Sequence, residues 1–224
     1  MEKLNPIIKK LNKIYYFLFK ERFSKKINFE FDNVFRWHLI EHLDNKYKFS
    51  DYLEVGCNDD ELFSKIKIKN KIGIDPVVGG NMKITSDDFF KQNKNKYDCV
   101  FIDGLHIYDQ VKRDIVNSSK CLKENGFILV HDCLPRSLSA QAVPRHRYNW
   151  NGDVWKAIVD LRQRDDLEIH TCFVDQGIGI IKKQINSSIL KINKKTQDLK
   201  FSDFYHNHKE YLRIINLDEF KKIY

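Results

Sequence analysis

The stretch YLEVGCNDDELF, residues 52–63, has the pattern of a strand that turns directly into a helix. An apolar run ends at Gly56, and Asp59, Asp60 and Glu61 follow where the helix would begin. A strand, a glycine turn and a helix in this order are typical of the first unit of a nucleotide-binding α/β sheet. The acids are unusual there, because a phosphate-binding turn presents bare backbone N–H groups at the helix start.

The sequence after this stretch alternates between short apolar strands and helices. We predict strands at 51–56, 71–75, 97–103, 126–131, 167–173 and 177–182, and helices at 59–66, 107–124 and 153–164, with a short element over NMKIT that ends before Ser86. Nearly continuous apolar strands between helices indicate a parallel sheet covered on both faces. The connection between the last two strands is too short for a crossover, so these strands must be antiparallel.

The expected fold is therefore α/β: a doubly wound, mostly parallel, seven-stranded Rossmann-like sheet with an antiparallel last strand. We expect helical extensions at both ends, which divides the chain into 1–48, 49–182 and 183–224. Apolar residues from Leu4 to Leu18 recur at helical spacing with lysines between them, and a second helix is predicted at about 32–46. This amphipathic N-terminal helix would pack on the body or on a second subunit of a homodimer, with peripheral contact to a membrane as the alternative.

Composition excludes several classes of protein. The 224 residues are 42% hydrophobic, which argues against disorder, and no apolar run is long enough to span a bilayer. The five cysteines form no CxxC pair and no signal-peptide pattern precedes them, so we expect reduced thiols and a cytoplasmic location. The net charge of +8 comes from the two ends of the chain, since 49–181 holds more acids than bases. Nucleic acid is therefore an unlikely partner.

Polar residues gather at the predicted carboxyl ends of the strands, where ligands bind in open α/β sheets. These residues are Glu54, Gly56, Asp75, Ser86, Asp87, Asp88, Asp103, His106, Asp132 and Cys133. A single acid at such a position is often only a helix N-cap. So many acids along one edge of the sheet instead indicate a ligand with a positive charge.

The glycine turn departs from the dinucleotide pattern G-x-G-x-x-G. Asn58 stands at the second glycine position and Glu61 at the third, and the acids around them would repel a diphosphate. NAD is therefore disfavoured. Asp75, nineteen residues after Gly56, is still placed to bind two ribose hydroxyls. A nucleoside without phosphates that carries a positive group satisfies both observations, and S-adenosylmethionine is such a molecule.

Several motifs carry a family resemblance over about 50–182. LEVGCNDDELF, IGIDP, ITSDDFF, YDCVFIDGLHIYDQVKRDI and GFILVHDCLP, in this order, resemble class I S-adenosylmethionine-dependent methyltransferases. The spacing in FIDGLHIYDQVKRDI and GFILVHD resembles the branch of cephalosporin, macrolide and rhamnosyl O-methyltransferases. The resemblance implies O-methylation of a small molecule or glycan, for example a surface-polysaccharide sugar. The alternatives are a nucleic-acid or protein methyltransferase and a non-catalytic cofactor-binding scaffold.

The resemblance also implies a set of cofactor-binding residues: Glu54, Gly56, Asn58, Asp75, Ser86, Asp87, Asp88 and Asp103. Within this set, Glu54 would face the methionine ammonium group and Gly56 would let the backbone approach the cofactor. Asp75 would bind the ribose hydroxyls, and Ser86 with Asp87 or Asp88 would lie near adenine, whose exocyclic amine donates hydrogen bonds.

Two devices for removing the acceptor's proton are compatible with the sequence. His106 follows Asp103 by three residues and has a side chain suited to general-base catalysis. Alternatively, Mg²⁺ or another divalent cation at Asp103 and Asp132 would lower the pKa of the acceptor hydroxyl. Cys133 departs from the metal-binding pattern of related enzymes, since a thiol is a poor Mg²⁺ ligand. We expect His131 to be an inward-facing strand residue.

The acceptor is expected to contact the long segment 136–156, which follows the strand predicted at 126–131 and has the length of a lid. The candidate substrate residues are Tyr108, Arg145, Arg147, Trp150 and Trp155. The arginines would meet an anionic group of a small-molecule or sugar acceptor, and a tryptophan would stack on a sugar ring. Asp153 is expected to cap the helix that begins at Val154.

Overall fold

The structure is a computed structural model that describes residues 5–224, so Leu4 of the predicted N-terminal helix lies outside the described residues. The helices are α1 Pro6–Phe19, α2 Arg36–Tyr47, α3 Glu61–Lys65, α4 Ser86–Gln92, α5 Tyr108–Lys120, α6 Leu138–Gln141, α7 Val154–Leu161, α8 Phe201–Leu212 and α9 Leu217–Ile223. A short 3₁₀ helix covers Thr196–Asp198. None of the helices in residues 5–224 is both long enough and apolar enough to cross a membrane.

The strands form one mixed sheet. They are β1 Asp51–Val55, β2 Asn70–Ile74, β3 Tyr97–Ile102, β4 Leu122–Val130, β5 Leu167–Cys172, β6 Ile178–Lys183 and β7 Ile214–Ile215. Their order is β2-β1-β3-β4-β6-β5-β7. β1 to β4 are parallel, and β6 is antiparallel to both β4 and β5. The expected doubly wound sheet with an antiparallel closing hairpin is therefore confirmed.

The strand order creates the place where a ligand binds. From β1 the chain moves to one side to form β2 and then crosses back to form β3 on the other side, so the connections after β1 and β3 leave the sheet in opposite directions. A crevice opens at such a switch point, beyond the carboxyl ends of the strands. The strands β1, β2, β3 and β4 all end at this edge.

The core lies on both faces of the sheet because the strand residues alternate in direction. In β4, Ile128 and Val130 pack under α5, α7 and α8, whereas Phe127 and Leu129 pack under α2 and α9. All four side chains are fully or almost fully buried. The five cysteines are also buried, and none is in a disulfide.

The short element predicted over NMKIT forms neither a regular strand nor a helix, and it does not supply the seventh strand. Within that element only Met82 makes an isolated bridge, to Ile74, and the chain enters α4 directly afterwards. The helix α4 was not predicted, because the acids of its first turn, Asp87 and Asp88, were interpreted as residues at the end of a strand. Thr85 caps α4 by accepting a hydrogen bond from the backbone N–H of Asp88.

The seventh strand instead comes from the C-terminal segment 183–224, which was expected to be a polar linker followed by a helix. β7 pairs in parallel with β5, at the outer edge of the sheet. Phe201 and Phe204 of α8 and Phe220 of α9 are fully buried against the body. The segment is therefore packed into the core of the protein.

Candidate active site

A large cleft lies at the carboxyl ends of β1 to β4. Its volume is about 1410 Å³, which exceeds the roughly 300–1,000 Å³ of a pocket for one small ligand. The turn after β1, the segment 75–78 after β2 and the start of α4 form one part of its wall. The segment 147–151 forms another part, and the ends of β3 and β4 contribute Asp103 and Asp132. The cleft has room for a cofactor and an acceptor together.

Gly56 is required by the geometry of the turn after β1. Its φ is +88°, in the region that favours glycine, and a Cβ atom there would lie 2.4 Å from the backbone oxygen of Asp103. Its own N–H donates a hydrogen bond to the backbone oxygen of Ile74. The backbones of β1, β2 and β3 therefore meet closely at this point, with no room for a side chain.

Asp75 lies on the cleft wall and organises the loop around it. One carboxylate oxygen accepts hydrogen bonds from the backbone N–H groups of Val77 and Val78, at 2.8 and 2.9 Å. The other accepts from the backbone N–H of Asn58 at 3.1 Å, which joins the β2 loop to the β1 turn. Gly56, Asn58 and Asp75 all line the cleft, so the structure brings these three sequence-predicted residues together.

The three residues at the start of α4 separate into two groups. Ser86 and Asp87 line the cleft. Ser86 accepts a hydrogen bond from Gln110, and a hydrogen bond from Arg113 lowers the pKa of Asp87. Asp88 instead turns outward to Lys91, at 2.9 Å, and does not line the cleft. The expectation that Asp88 lies near the cofactor is therefore not supported, because its side chain leaves the helix on the solvent side.

Glu54 does not line the cleft either, although it was expected to face the methionine ammonium group. It is almost fully buried, and its carboxyl group accepts a hydrogen bond from the hydroxyl of Tyr52 at 2.7 Å. Burial raises the pKa of Glu54 to about 8. At neutral pH this side chain therefore holds a proton and provides no negative charge for a ligand.

Asp103, His106, His131 and Asp132 form a compact cluster on the cleft floor, in which only Asp103 is partly exposed. One oxygen of Asp103 lies 3.1 Å from Nε2 of His106 and 3.2 Å from Nδ1 of His131. Nδ1 of His106 lies 3.0 Å from the backbone oxygen of Trp150 and 3.2 Å from Asp132. The ends of β3 and β4 thus place two carboxylates and two imidazoles within hydrogen-bond reach of one another.

The neighbours of His106 determine its protonation. The Trp150 carbonyl can only accept, so Nδ1 of His106 carries a hydrogen, and the carboxylate of Asp103 favours a second hydrogen on Nε2. Burial alone would lower the pKa of His106, but Asp132 and Asp103 raise it to about 9. Likewise, burial would raise the pKa of Asp103, but His131 and His106 hold it well below its usual value. His106 must release a proton before it can accept one.

His131 belongs to this cluster, contrary to the expectation of a plain strand residue. It follows β4 directly and lines the cleft. Its Nε2 atom is buried and, within residues 5–224, has no hydrogen-bond partner, since the nearest carboxylate oxygen of Asp175 is 3.6 Å away. The sequence contained a signal for this placement. His131 and Asp132 are adjacent at the end of an apolar strand, so both reach the same edge of the sheet.

The cluster fits a divalent cation. Asp103, His131 and Asp132 each offer one ligand atom, and these atoms lie within 4.8 Å of one another. Nδ1 of His131, which lies 3.2 Å from Asp103 and 3.6 Å from Asp132, forms with the two carboxylates a mixed nitrogen and oxygen donor set of the kind that binds divalent transition metals. Cys133 is fully buried and directs its thiol to the backbone oxygen of Val130, so it is not part of this set.

The segment 136–156, called the lid from here on, covers the cluster with Trp150, Asn151 and Gly152. The ring of Trp150 stacks on that of His106, with 5.4 Å between centroids and 23° between planes. Asn151 donates a hydrogen bond to Asp132 at 2.6 Å. A Cβ atom on Gly152 would collide with the backbone oxygen of His106 at 1.7 Å, so the backbone of this segment directly touches the loop that carries His106.

Only two of the five predicted substrate residues, Arg147 and Trp150, line the cleft. Trp155 is fully buried, where its indole N–H donates to Gln141 and its ring packs on Phe204, so it cannot stack on a ligand. Its position on α7, a helix apolar on most sides, explains this.

Tyr108, Arg145 and Asp153 also have structural partners. The hydroxyl of Tyr108 faces Asp160 and Lys112, away from the cleft. Arg145 donates to the backbone oxygens of Arg147 and Tyr148 and does not line the cleft. The carboxylate of Asp153 accepts from the backbone N–H of Tyr108, so its side chain caps α5 and not α7 as expected.

Arg36, which was not among the predicted site residues, reaches the cleft from the start of α2. Its guanidinium group contacts Asp175 at 2.9 Å and Glu61 at 2.6 Å, and its Nε atom is buried without a partner within residues 5–224. Arg36 precedes the segment that carries the motifs, and a lone arginine on a helix has no recognisable pattern. No sequence signal identified it.

A family model described as a methyltransferase domain matches residues 69–133. The match begins at β2 and includes Asp75, Asp103, His106 and Asp132. The match covers less than a third of the chain and indicates a methyltransferase domain in this segment. No curated protein gives a significant sequence match to this chain.

Solved structures share the fold of this chain. A candidate caffeoyl-CoA O-methyltransferase from Staphylococcus aureus is 14% identical with a TM-score of 0.52, over 78% of this chain and 91% of the other. A candidate O-methyltransferase from Klebsiella pneumoniae is 10% identical with a TM-score of 0.50, over 84% and 93%. Cofactor-bound Rv0187 from MTB is 11% identical with a TM-score of 0.50, over 83% and 100%. At these identities the likeness concerns the fold.

Proposed function

We propose that this protein transfers the methyl group of S-adenosylmethionine to a hydroxyl group of a small-molecule or glycan acceptor, such as a surface-polysaccharide sugar. The observation that carries the proposal is the compact cluster of Asp103, His106 and Asp132 in a cleft large enough for two ligands. A hydroxyl is a weak nucleophile whose proton must be removed, and this cluster supplies groups that exchange protons.

The cofactor would occupy the part of the cleft formed by β1, β2 and α4. Gly56 leaves the backbone bare, Asp75 offers carboxylate oxygens to the ribose hydroxyls, and Ser86 with Asp87 would contact adenine. The guanidinium group of Arg36 would bind the methionine carboxylate, which gives a buried donor the partner that it lacks within residues 5–224. Glu54 lies beneath this site and supports it from the core.

The acceptor would occupy the part formed by the lid. Arg136 and Arg147 line it, and within residues 5–224 neither guanidinium is paired with a carboxylate. Arg136 lies over the ring of Phe31, and Arg147 donates to the hydroxyl of Ser137. Unpaired arginines favour an acceptor with a phosphate or carboxylate group. Trp150 would contact the face of a sugar ring.

The reaction is an in-line displacement at the sulfonium centre. The acceptor oxygen forms a bond to the methyl carbon, the carbon–sulfur bond breaks, and its electron pair stays on sulfur as S-adenosylhomocysteine. Holding oxygen, methyl and sulfur in line supplies much of the rate gain. The proposed base is the neutral form of His106, which has released the Nε2 proton to solvent: Nδ1–H stays on the Trp150 carbonyl, Nε2 accepts the hydroxyl proton, and Asp103 orients the ring.

A divalent cation held by Asp103, His131 and Asp132 is the second device that this cluster permits. When bound, such a cation supplies Lewis-acid stabilisation of the acceptor oxygen. Asn151, which donates to Asp132, would hold that carboxylate in position in either case.

The test is a methyl-transfer screen on nucleotide sugars and glycan fragments, with and without a chelator. We expect transfer to one class of anionic acceptor, a loss of at least a hundredfold in His106→Ala, and retained S-adenosylhomocysteine binding in that variant. Loss of turnover with the chelator would assign the cation. If neither His106→Ala nor Asp103→Asn changed the turnover or the function of the protein in the cell, the result would favour a non-catalytic cofactor-binding scaffold over the enzymatic role proposed here.

A further inference from the structure

The helix α1 presents an apolar face that nothing within residues 5–224 covers. Ile7 and Phe19 are each 70% exposed, Leu11 is 59% exposed and Leu18 is 54% exposed. Ile8, Ile14, Tyr15 and Phe17 are also exposed. Exposed apolar residues are usually scattered singly, whereas these lie on consecutive turns of one helix, which marks an interaction surface.

The opposite side of α1 holds the helix on the body of the protein. Tyr16 is the one buried residue of α1, and its ring lies 5.9 Å from that of His146. The side chain of Asn12 donates to the backbone oxygen of Arg145 at 2.8 Å. The apolar face therefore points outward because the polar and buried positions of the same helix are fixed against the lid.

Positive charge accompanies the apolar face on α1. Lys9, Lys10 and Lys13 are all exposed, with Lys9 and Lys13 on the side of the helix that approaches His146, and the sequence of Pro6–Phe19 contains no acidic residue. An apolar face of leucine, isoleucine and aromatic side chains accompanied by lysines is typical of helices that lie in the interface of an anionic bilayer. At 14 residues, about 21 Å, the helix is too short to span one.

We infer that α1 binds the surface of an anionic lipid bilayer. A second copy of the chain fits less well, because packing α1 on α1 would bring the lysines of both copies together without a carboxylate to pair with them. Anionic headgroups provide the complementary charge, and each lysine near such a surface contributes about a fivefold gain in partitioning. Because α1 rests on the lid, binding in this way holds the lid close to the membrane.

The experiment is flotation of the full chain with vesicles of phosphatidylcholine, with and without phosphatidylglycerol. We expect binding only to the anionic vesicles, weakened by salt. The variant Leu11→Glu/Leu18→Glu should lose binding, and Lys9→Gln/Lys10→Gln/Lys13→Gln should lose roughly a hundredfold. Ile185→Glu is the matched control, since Ile185 is 86% exposed but lies outside α1, and should bind normally. All variants should still bind S-adenosylhomocysteine.

Three results overturn the inference. The first is a wild-type chain that does not float with anionic vesicles, and the second is an α1 double variant that floats as well as the wild type. The third is a wild-type dimer in light scattering that becomes a monomer on Leu11→Glu, with no vesicle binding by the wild type or the variant, which assigns the face to a second copy. Cofactor binding is measured separately, so failure here does not affect the proposed methyl transfer.

Discussion

The buried side chain of Glu54 should make the stability of the protein depend on pH in a specific direction. Its pKa is raised from 4.5 to about 8, chiefly by burial, so the native state keeps a proton that the unfolded chain releases. Rising pH therefore favours unfolding above the unfolded-state pKa, and the effect ends near the folded-state pKa. Between about pH 6 and pH 8 this one group should remove about 2 kcal/mol from the free energy of unfolding.

The assay is urea unfolding of the wild type and Glu54→Gln at both pH values. Glutamine keeps the size of the side chain and can accept the hydrogen bond from Tyr52, but it does not titrate. Because other groups also titrate, the informative quantity is the stability difference between variant and wild type. We expect that difference to move by about 2 kcal/mol in favour of the glutamine variant as the pH rises.

Glu168→Gln is the matched control. Glu168 is also buried, but hydrogen bonds from Ser187 and Arg213 outweigh the effect of burial and lower its pKa. It is charged in both the native and the unfolded state above pH 6, so the cost of this substitution should be the same at both pH values. If Glu54→Gln behaved like Glu168→Gln, the carboxyl group of Glu54 would be ionised in the native state and the reasoning would be refuted.

Three further experiments test the site. Gly56→Ala should abolish S-adenosylhomocysteine binding in calorimetry, because the new Cβ collides with the Asp103 backbone; unchanged binding would contradict the tight turn. Asp75→Ala should weaken that binding at least tenfold, whereas the outward-facing Asp88→Ala should not; equal effects would argue against the ribose contact. Trp150→Ala should raise the KM for the acceptor and leave the protein folded, whereas Trp155→Ala should lower the free energy of unfolding by about 3–5 kcal/mol in chemical denaturation. The opposite result would mean that Trp155 contacts the acceptor and that Trp150 stabilises the core.

The fold could be predicted from the sequence because its signals are local. The parallel strands are buried on both faces, so they appear as short apolar runs, and Gly56 marks the first turn unambiguously. The connection between β5 and β6 is short enough to force antiparallel pairing. The two residues of β7 gave no such signal, since a strand that short is defined only by its partner β5.

The candidate site could be predicted only in part. Sequence position identifies which residues reach the edge of the sheet, as for Asp75, Asp103 and His106, but not which way each side chain turns from there. Asp88 and Trp155 were misplaced for that reason. Arg36 and Asn151 come from segments outside the motifs, and only packing brings them to the cleft.

The central claim is that the cleft binds an adenosyl nucleoside without phosphates, as in S-adenosylmethionine and its product S-adenosylhomocysteine, and rejects a pyrophosphate. Calorimetric titration with S-adenosylhomocysteine and, separately, with NAD tests this claim most directly. We expect micromolar-class binding of S-adenosylhomocysteine, lost in Gly56→Ala, and no binding of NAD. Binding of NAD or a nucleoside triphosphate in this cleft, with none of S-adenosylhomocysteine, would contradict the account.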